Sequence, residues 1–193
     1  NLVQFAIMGS LYAEKVRGVK NPKIGLVSNG EEEGKGNHLV KEATPLLKAS
    51  KLNFFGNVEG KEVIGGKVDV AVTDGFTGNV MLKTAEAVAK LLMDKIKEAI
   101  LGGSLPAKLG GMLVRPALKG IRKLMDPSEE GAAPLLGVNG VVIIGHGRSS
   151  PKAVKNASRL AHDFAQEFFG CDHFDFHDRL LKDRFSVVDA FFK

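Results

Sequence analysis

The chain has 193 residues, 44% of them hydrophobic and 25% charged, with a formal net charge of +5. This balance excludes a disordered or fibrous class, and the length suffices for one well-formed core. A single cysteine, Cys171, excludes an internal disulfide framework and fits a reducing cytoplasm, and no apolar run approaches the ~20 residues of a membrane span. The mild basicity favours acidic partners without choosing among an anionic protein, a lipid surface and phosphate.

Residues 1–6 already read as the middle of a helix, so the chain is expected to be a piece of a longer one. Leu2, Phe5, Ala6, Met8, Leu11, Tyr12 and Val16 carry that helix to near Gly18. Residues 24–27 (IGLV) form a short buried strand, followed by a polar loop over 28–37 that contains three glycines. Leu39, Val40, Ala43, Leu46 and Leu47 mark a second helix with Asn37 as its N-cap. Residues 53–55 predict another strand, with 56–60 as its exit loop.

Residues 68–73 (VDVAVT) are a β-branched apolar run, expected as a buried parallel strand. Residues 74–79 (DGFTGN) break it with a glycine-rich turn, capped by Thr77 or Asn79, and helical spacing begins at Val80. A strand, a glycine-rich turn and a helix in succession present backbone N–H groups and the positive end of a helix dipole. Such a point suits a phosphate or a developing oxyanion; a plain structural turn is the competing reading.

The helix continues to about Leu101 and is interrupted at 102–106 and again at Gly110-Gly111. Helical spacing then resumes through Met125, which predicts a projecting hairpin over residues 90–126. Lys95, Lys97, Lys108, Arg115, Lys119, Arg122 and Lys123 face only Asp94 and Glu98 there, while Leu105, Leu109, Met112, Leu113 and Val114 crowd the tip. Apolar residues beside basic ones are the pattern of a segment that dips into lipid, and a dimer partner is the competing occupant. Residues 141–144 (VVII) are the last strand, and Ser149 or Ser150 caps a final helix starting near Pro151. Beyond Gly170 there is no clear periodicity. Strands and helices in this order, joined by short connections, argue for α/β with a largely parallel sheet.

Four motifs carry a family resemblance: GEEEGKGNHLVKEA (30–43), FFGNVEG (54–60), VDVAVTDGFTGNVMLKT (68–84) and GVNGVVIIGHGRSS (137–150). In this order and spacing they closely resemble the phosphate acyltransferase family, PlsX, and residues 2–16 are similar to the segment before its first motif. The resemblance implies conversion of acyl-[acyl-carrier protein] and inorganic phosphate to acyl phosphate for phospholipid synthesis. It also implies a three-layer α/β/α fold like that of phosphotransacetylases and the isocitrate dehydrogenase group, a homodimer, and a peripheral place on the cytoplasmic face of the cell membrane. Nucleic acid is not among the expected partners. The family has a further N-terminal α/β portion, so residues 1–193 are expected to be the C-terminal portion of a single domain with the hairpin inserted. The tail over 170–193 departs from the family's charged terminal helix, and His38 stands where an acidic residue is more typical.

Phosphorolysis of a thioester needs a held phosphate, a polarised carbonyl and a leaving thiolate. Phosphate is already anionic at neutral pH, so positioning and electrostatics carry the reaction, and no metal or cofactor is expected. Lys35, between Gly34 and Gly36 in a flexible loop, can swing its ammonium to the phosphate or the thioester oxygen; a solvated surface lysine is the alternative. Asn79 can donate its amide to a carbonyl oxygen or cap the helix. These two are the catalytic candidates. Asp74 orients Lys35 or Lys83, or caps the turn, which is the safer reading. His146 can donate to phosphate or bond to backbone, and Glu31, Glu32 and Glu33 read as a solvated turn rather than a metal site. Gly34, Gly36, Asn37, Asn57, Asp74, Gly75, Thr77, Gly78, His146 and Gly147 make up the expected substrate-binding set. Leu105, Leu109, Met112 and Leu113 are the expected membrane contacts. A phosphotransacetylase-like enzyme acting on acyl-CoA, and a catalytically incomplete segment, are the rival readings.

Overall fold

The computed structural model describes residues 1–124, 126, 128–145 and 149–169. Met125, His146, Gly147, Cys171 and the tail expectation lie outside them. The chain divides into two compact units.

The first unit holds Asn1–Gly78, Leu135–Val141 and residues 162–169. Its elements are α1 (Leu2–Lys15), β1 (Ile24–Val27), α2 (His38–Lys48), β2 (Phe54–Val58), α3 (Gly60–Ile64) and β3 (Val70–Val72). The strands form a parallel sheet in the order β2-β1-β3. All four residues of β1 are buried, which is why this strand reads as an unbroken apolar run rather than an alternating one. Leu2, Ala6, Ile24, Leu26, Val40, Ala43, Leu47 and Val72 form the core. Helix α1 lies directly on β3: a β-carbon added at Gly9 would stand 2.7 Å from a methyl of Val70.

Two expectations are corrected in this unit. Strand β2 runs on through Gly56, Asn57 and Val58, which had read as an exit loop. Their pairing with Gly25, Leu26 and Val27 extends the ladder and buries Asn57 and Val58. Helix α3, not anticipated, follows at once; Glu62 accepts the Glu59 backbone N–H at 2.9 Å, half of a capping box that starts a helix too short to show a hydrophobic period.

The second unit holds Asn79–Pro134 and Val142–Ala161. Helix α4 (Gly75–Gly102) extends into it, followed by α5 (Leu105–Leu124), β4 (Ala132–Pro134), β5 (Ile143–Gly145) and the start of α6 (Pro151–Phe169). Helix α5 passes through Gly110, Gly111 and Pro116 without the break that the two glycines predicted. Gly111 is used instead for close approach, because a β-carbon there would collide with Ile100 of α4. The expected last strand also differs: β5 pairs antiparallel with β4 as a two-stranded ribbon, with Ala132 opposite Gly145 and Pro134 opposite Ile143. The architecture is mixed α/β, with a small parallel sheet and helices. Ser150 caps α6, its hydroxyl accepting from the Ala153 N–H at 3.2 Å, and Lys152 and Asn156 tie that helix to Asp126, Ser128 and Glu129.

Candidate active site

Parallel pairing sends the exits of β1, β2 and β3 to one edge of the sheet. With the order β2-β1-β3, the chain turns in opposite directions from β1, and the carboxyl ends of β1 and β3 flank the switch point. Ligands of open α/β sheets bind at such a point. The loop over 28–37 and the turn at Thr73-Asp74 are the segments that emerge there.

The loop is built by fixed hydrogen bonds rather than left free, which corrects its reading as a flexible segment. Asn29 Oδ1 accepts the Gly36 N–H at 2.8 Å, and the Lys35 N–H closes a turn onto the Glu32 carbonyl at 3.0 Å. Asn57, only 5% exposed, reaches across from β2 and donates its amide to the carbonyls of Glu32, at 3.0 Å, and Lys35, at 3.4 Å. Gly36 has φ +104°, and a β-carbon there would collide with Val40; only glycine allows the chain to turn this tightly into α2. Asn37 then caps α2 as expected, its side chain accepting from the Val40 N–H at 3.0 Å.

The charges of the loop are paired unequally. Lys61 and Lys67 approach Glu31 at 3.1 and 3.5 Å, and Lys48 bonds Glu33. The Lys61 hydrogen bond, followed by one from Glu62, holds the Glu31 carboxyl below its usual range, and Lys48 does the same for Glu33. Lys61 is in turn raised above the ordinary lysine range, first by Glu59 and then by Glu31. All three glutamates are exposed, as a solvated turn requires, and Glu31 and Glu33 are ion-paired as well. The carboxylates of Glu31, Glu59 and Glu62 lie close together, but Lys61 bridges all three. Lys35 is exposed, and it makes no ion pair among the described residues. A cleft of about 430 Å³ opens among the loop, α2 and β2, lined by Glu31, Glu33, Lys48, Phe54 and Asn57.

At the second segment, Asp74 caps, the safer reading for it, and the expectation of Thr77 or Asn79 as the cap is corrected. Helix α4 starts at Gly75, five residues before the expected point, because Asp74 caps it. Asp74 Oδ1 accepts the Thr77 N–H at 2.9 Å and Oδ2 accepts the Thr77 hydroxyl at 2.6 Å. Those two bonds from Thr77, hydroxyl first, hold the Asp74 carboxyl below its usual range. The negative charge at this helix end is thus the protein's own, so the end is not an open anion site. Gly75, Thr77 and Gly78 are the first turn of the helix, and Gly78 sits against the Thr73 methyl. Asn79 lies in the helix, exposed, and is not the cap.

The structure therefore gathers Gly34, Lys35, Gly36, Asn37 and Asn57 in one loop assembly, and Asp74, Gly75, Thr77 and Gly78 in one helix cap. Asn29 and Gly30 were missed by sequence reasoning; the Asn-Gly pair is a turn signal that marks where the loop folds back.

In the second unit, Leu105, Leu109, Met112 and Leu113 are all exposed, Leu113 by 83%. No residue of α4 is buried, and no helix among the described residues is long and apolar enough to cross a membrane.

The profile of the family described as "Fatty acid synthesis protein" matches residues 1–170. The phosphate acyltransferase of Geotalea uraniireducens is 54% identical over 171 residues, covering 86% of this chain and 48% of that protein. That of Aquifex aeolicus is 53% identical over 169 residues, covering 88% and 50%, and that of Elusimicrobium minutum 52% over 172, covering 89% and 50%. The chain belongs to the fatty acid synthesis protein family, and it spans about half the length of the curated relatives it matches.

Proposed function

We propose that this chain is part of a phosphate acyltransferase that makes acyl phosphate from acyl-[acyl-carrier protein] and inorganic phosphate for phospholipid synthesis. The observation that carries this reading is Lys35: a cation without an ion-pair partner among the described residues, on a pinned loop at the carboxyl edge of a parallel sheet. Of the loop's glutamates, Glu31 and Glu33 are matched by Lys61, Lys67 and Lys48, and no ion pair joins Lys35 to Glu32 among the described residues, so the lysine's charge is available to an anion. A phosphate oxygen held there attacks the thioester carbonyl. The C–S bond breaks, the sulfur leaves with the electron pair as thiolate, and the mixed anhydride remains. The role of Asn79 as an amide donor to the thioester oxygen stands on the resemblance alone. The whole protein is read as the three-layer α/β/α fold of the isocitrate dehydrogenase group.

The exposed apolar residues of α5, flanked by Lys108, Arg115 and Lys119, fit a peripheral attachment to the inner face of the cell membrane, where the acyl product is needed. A homodimer surface and a dock for the acidic carrier protein are the other uses of the same basic hairpin.

The test is release of free thiol on mixing the protein with phosphate and either acyl-carrier protein or acyl-CoA. Release from the carrier protein supports the proposal, and release only from acyl-CoA supports a phosphotransacetylase-like enzyme. The coverage of half the relatives' length favours one further reading: a segment that needs the rest of the protein. Release by a full-length form but not by this chain would establish that reading.

A further inference from the structure

We infer that Asn57 and Gly30 are positioning residues that set where the Lys35 ammonium stands, and through it how tightly inorganic phosphate is held. The inference rests on the proposed role of Lys35 as the phosphate-binding cation. Three observations carry it. First, the Asn57 amide is the only side chain described that holds both the Glu32 and the Lys35 carbonyls, at 3.0 and 3.4 Å; it fixes the backbone from which the lysine springs. Second, Asn57 can do this because β2 continues past Gly56. It pairs with Leu26 at the sheet centre, is only 5% exposed, and so has little freedom of its own. Third, the lysine stem lies over Gly30. A β-carbon at that buried glycine would come within 2.7 Å of Lys35 Cγ and 3.2 Å of its Cβ, and within 2.7 Å of a Glu32 carboxylate oxygen.

A lysine has four rotatable bonds and loses considerable entropy when it is held in one place. Fixing its carbonyl from one side and giving its stem a bare backbone to lie along removes part of that cost before the anion arrives. Two of the loop's carboxylates, Glu31 and Glu33, are turned to other lysines. Neither Asn57 nor Gly30 touches phosphate in this account; both act through the lysine.

The two sites are independent enough to test separately. Asn57→Asp keeps size and removes the donors to both carbonyls, while Gly30→Ala leaves Asn57 untouched and displaces the lysine stem. Each variant is predicted to weaken equilibrium binding of inorganic phosphate about tenfold in calorimetry, with the KM for phosphate raised alike and kcat changed less than threefold. In a Lys35→Ala background the same two changes should have no further effect on phosphate binding, the non-additivity expected of residues acting through one group. Multiplicative losses in that background, or wild-type phosphate affinity in both single variants, would overturn the inference. So would absence of phosphate binding by the wild-type protein. Because the readout is phosphate binding, a wild-type protein that binds phosphate yet releases no thiol would refute the proposed reaction and leave the positioning result standing. Should one of the two variants fail to fold, the other decides the matter alone.

Discussion

The two units of this chain solve opposite problems. The first has a core: all of β1 is buried, Glu31 and Glu33 of its loop are ion-paired, and Lys35, exposed and without an ion partner among the described residues, sits at the sheet's carboxyl edge. The second is open: α4 buries no side chain, and Leu105, Leu109, Met112 and Leu113 face solvent. Along helix α4, 28 residues long, Val80, Leu82, Val88, Leu91 and Leu92 are exposed. The comparison separates what a protein does by itself from what it does with a surface. The first unit carries the pinned loop and the helix cap, and the second the exposed apolar residues.

The sharpest way to break this comparison is to make matched apolar substitutions in both units. Leu47→Ala removes a fully buried side chain from the first core and is predicted to cost about 3 kcal/mol, measured by denaturant unfolding. Leu113→Ala, at 83% exposure, should change stability by less than about 0.5 kcal/mol. An equal loss at the two positions would mean that the second unit has a core of its own.

The next effect is on attachment. Leu109→Glu with Leu113→Glu should abolish co-sedimentation with anionic vesicles while leaving thiol release in solution intact. Binding that persists would remove the hairpin tip from lipid contact. If vesicle binding is unchanged and the oligomeric state falls apart, the face belongs to a second copy.

The smallest predicted effect concerns the helix cap where the units' sequences meet. Asp74→Ala should cost about 1 kcal/mol by loss of the cap. The sign of its pH dependence follows from the direction of the shift. Folding holds the Asp74 carboxyl below its ordinary value of 3.8, so the cap's contribution is complete well above that value. It is lost as pH falls through the lower folded value. The stability gap between wild type and Asp74→Asn should therefore narrow below about pH 4, and a gap that widens in acid would contradict the cap.

Much of the first unit was legible because its signals are local. β1 is a four-residue apolar run, and Asn37 precedes a helical period at the spacing a cap requires. What escaped depends on pairing or packing. Gly56-Asn57-Val58 resembles a loop in composition and becomes strand because β1 is long enough to pair with it. Gly110-Gly111 resembles a break and is helix because Ile100 packs where a side chain would otherwise stand. At the site, the motif spacing singled out Lys35 but not why it stays in place. That reason lies in Asn57, which is 22 residues away in sequence, and no periodicity reports a side-chain bond to a distant carbonyl.

The central claim, that Lys35 supplies the charge that holds phosphate, is tested most directly by phosphate-dependent thiol release from acyl-carrier protein by wild type and Lys35→Ala in the full-length protein, with thermal unfolding measured in parallel. The account predicts a loss on the order of a hundredfold in turnover per KM for phosphate, the size found on removing one electrostatic stabiliser, with an unchanged unfolding temperature. Turnover equal to wild type in Lys35→Ala would contradict it.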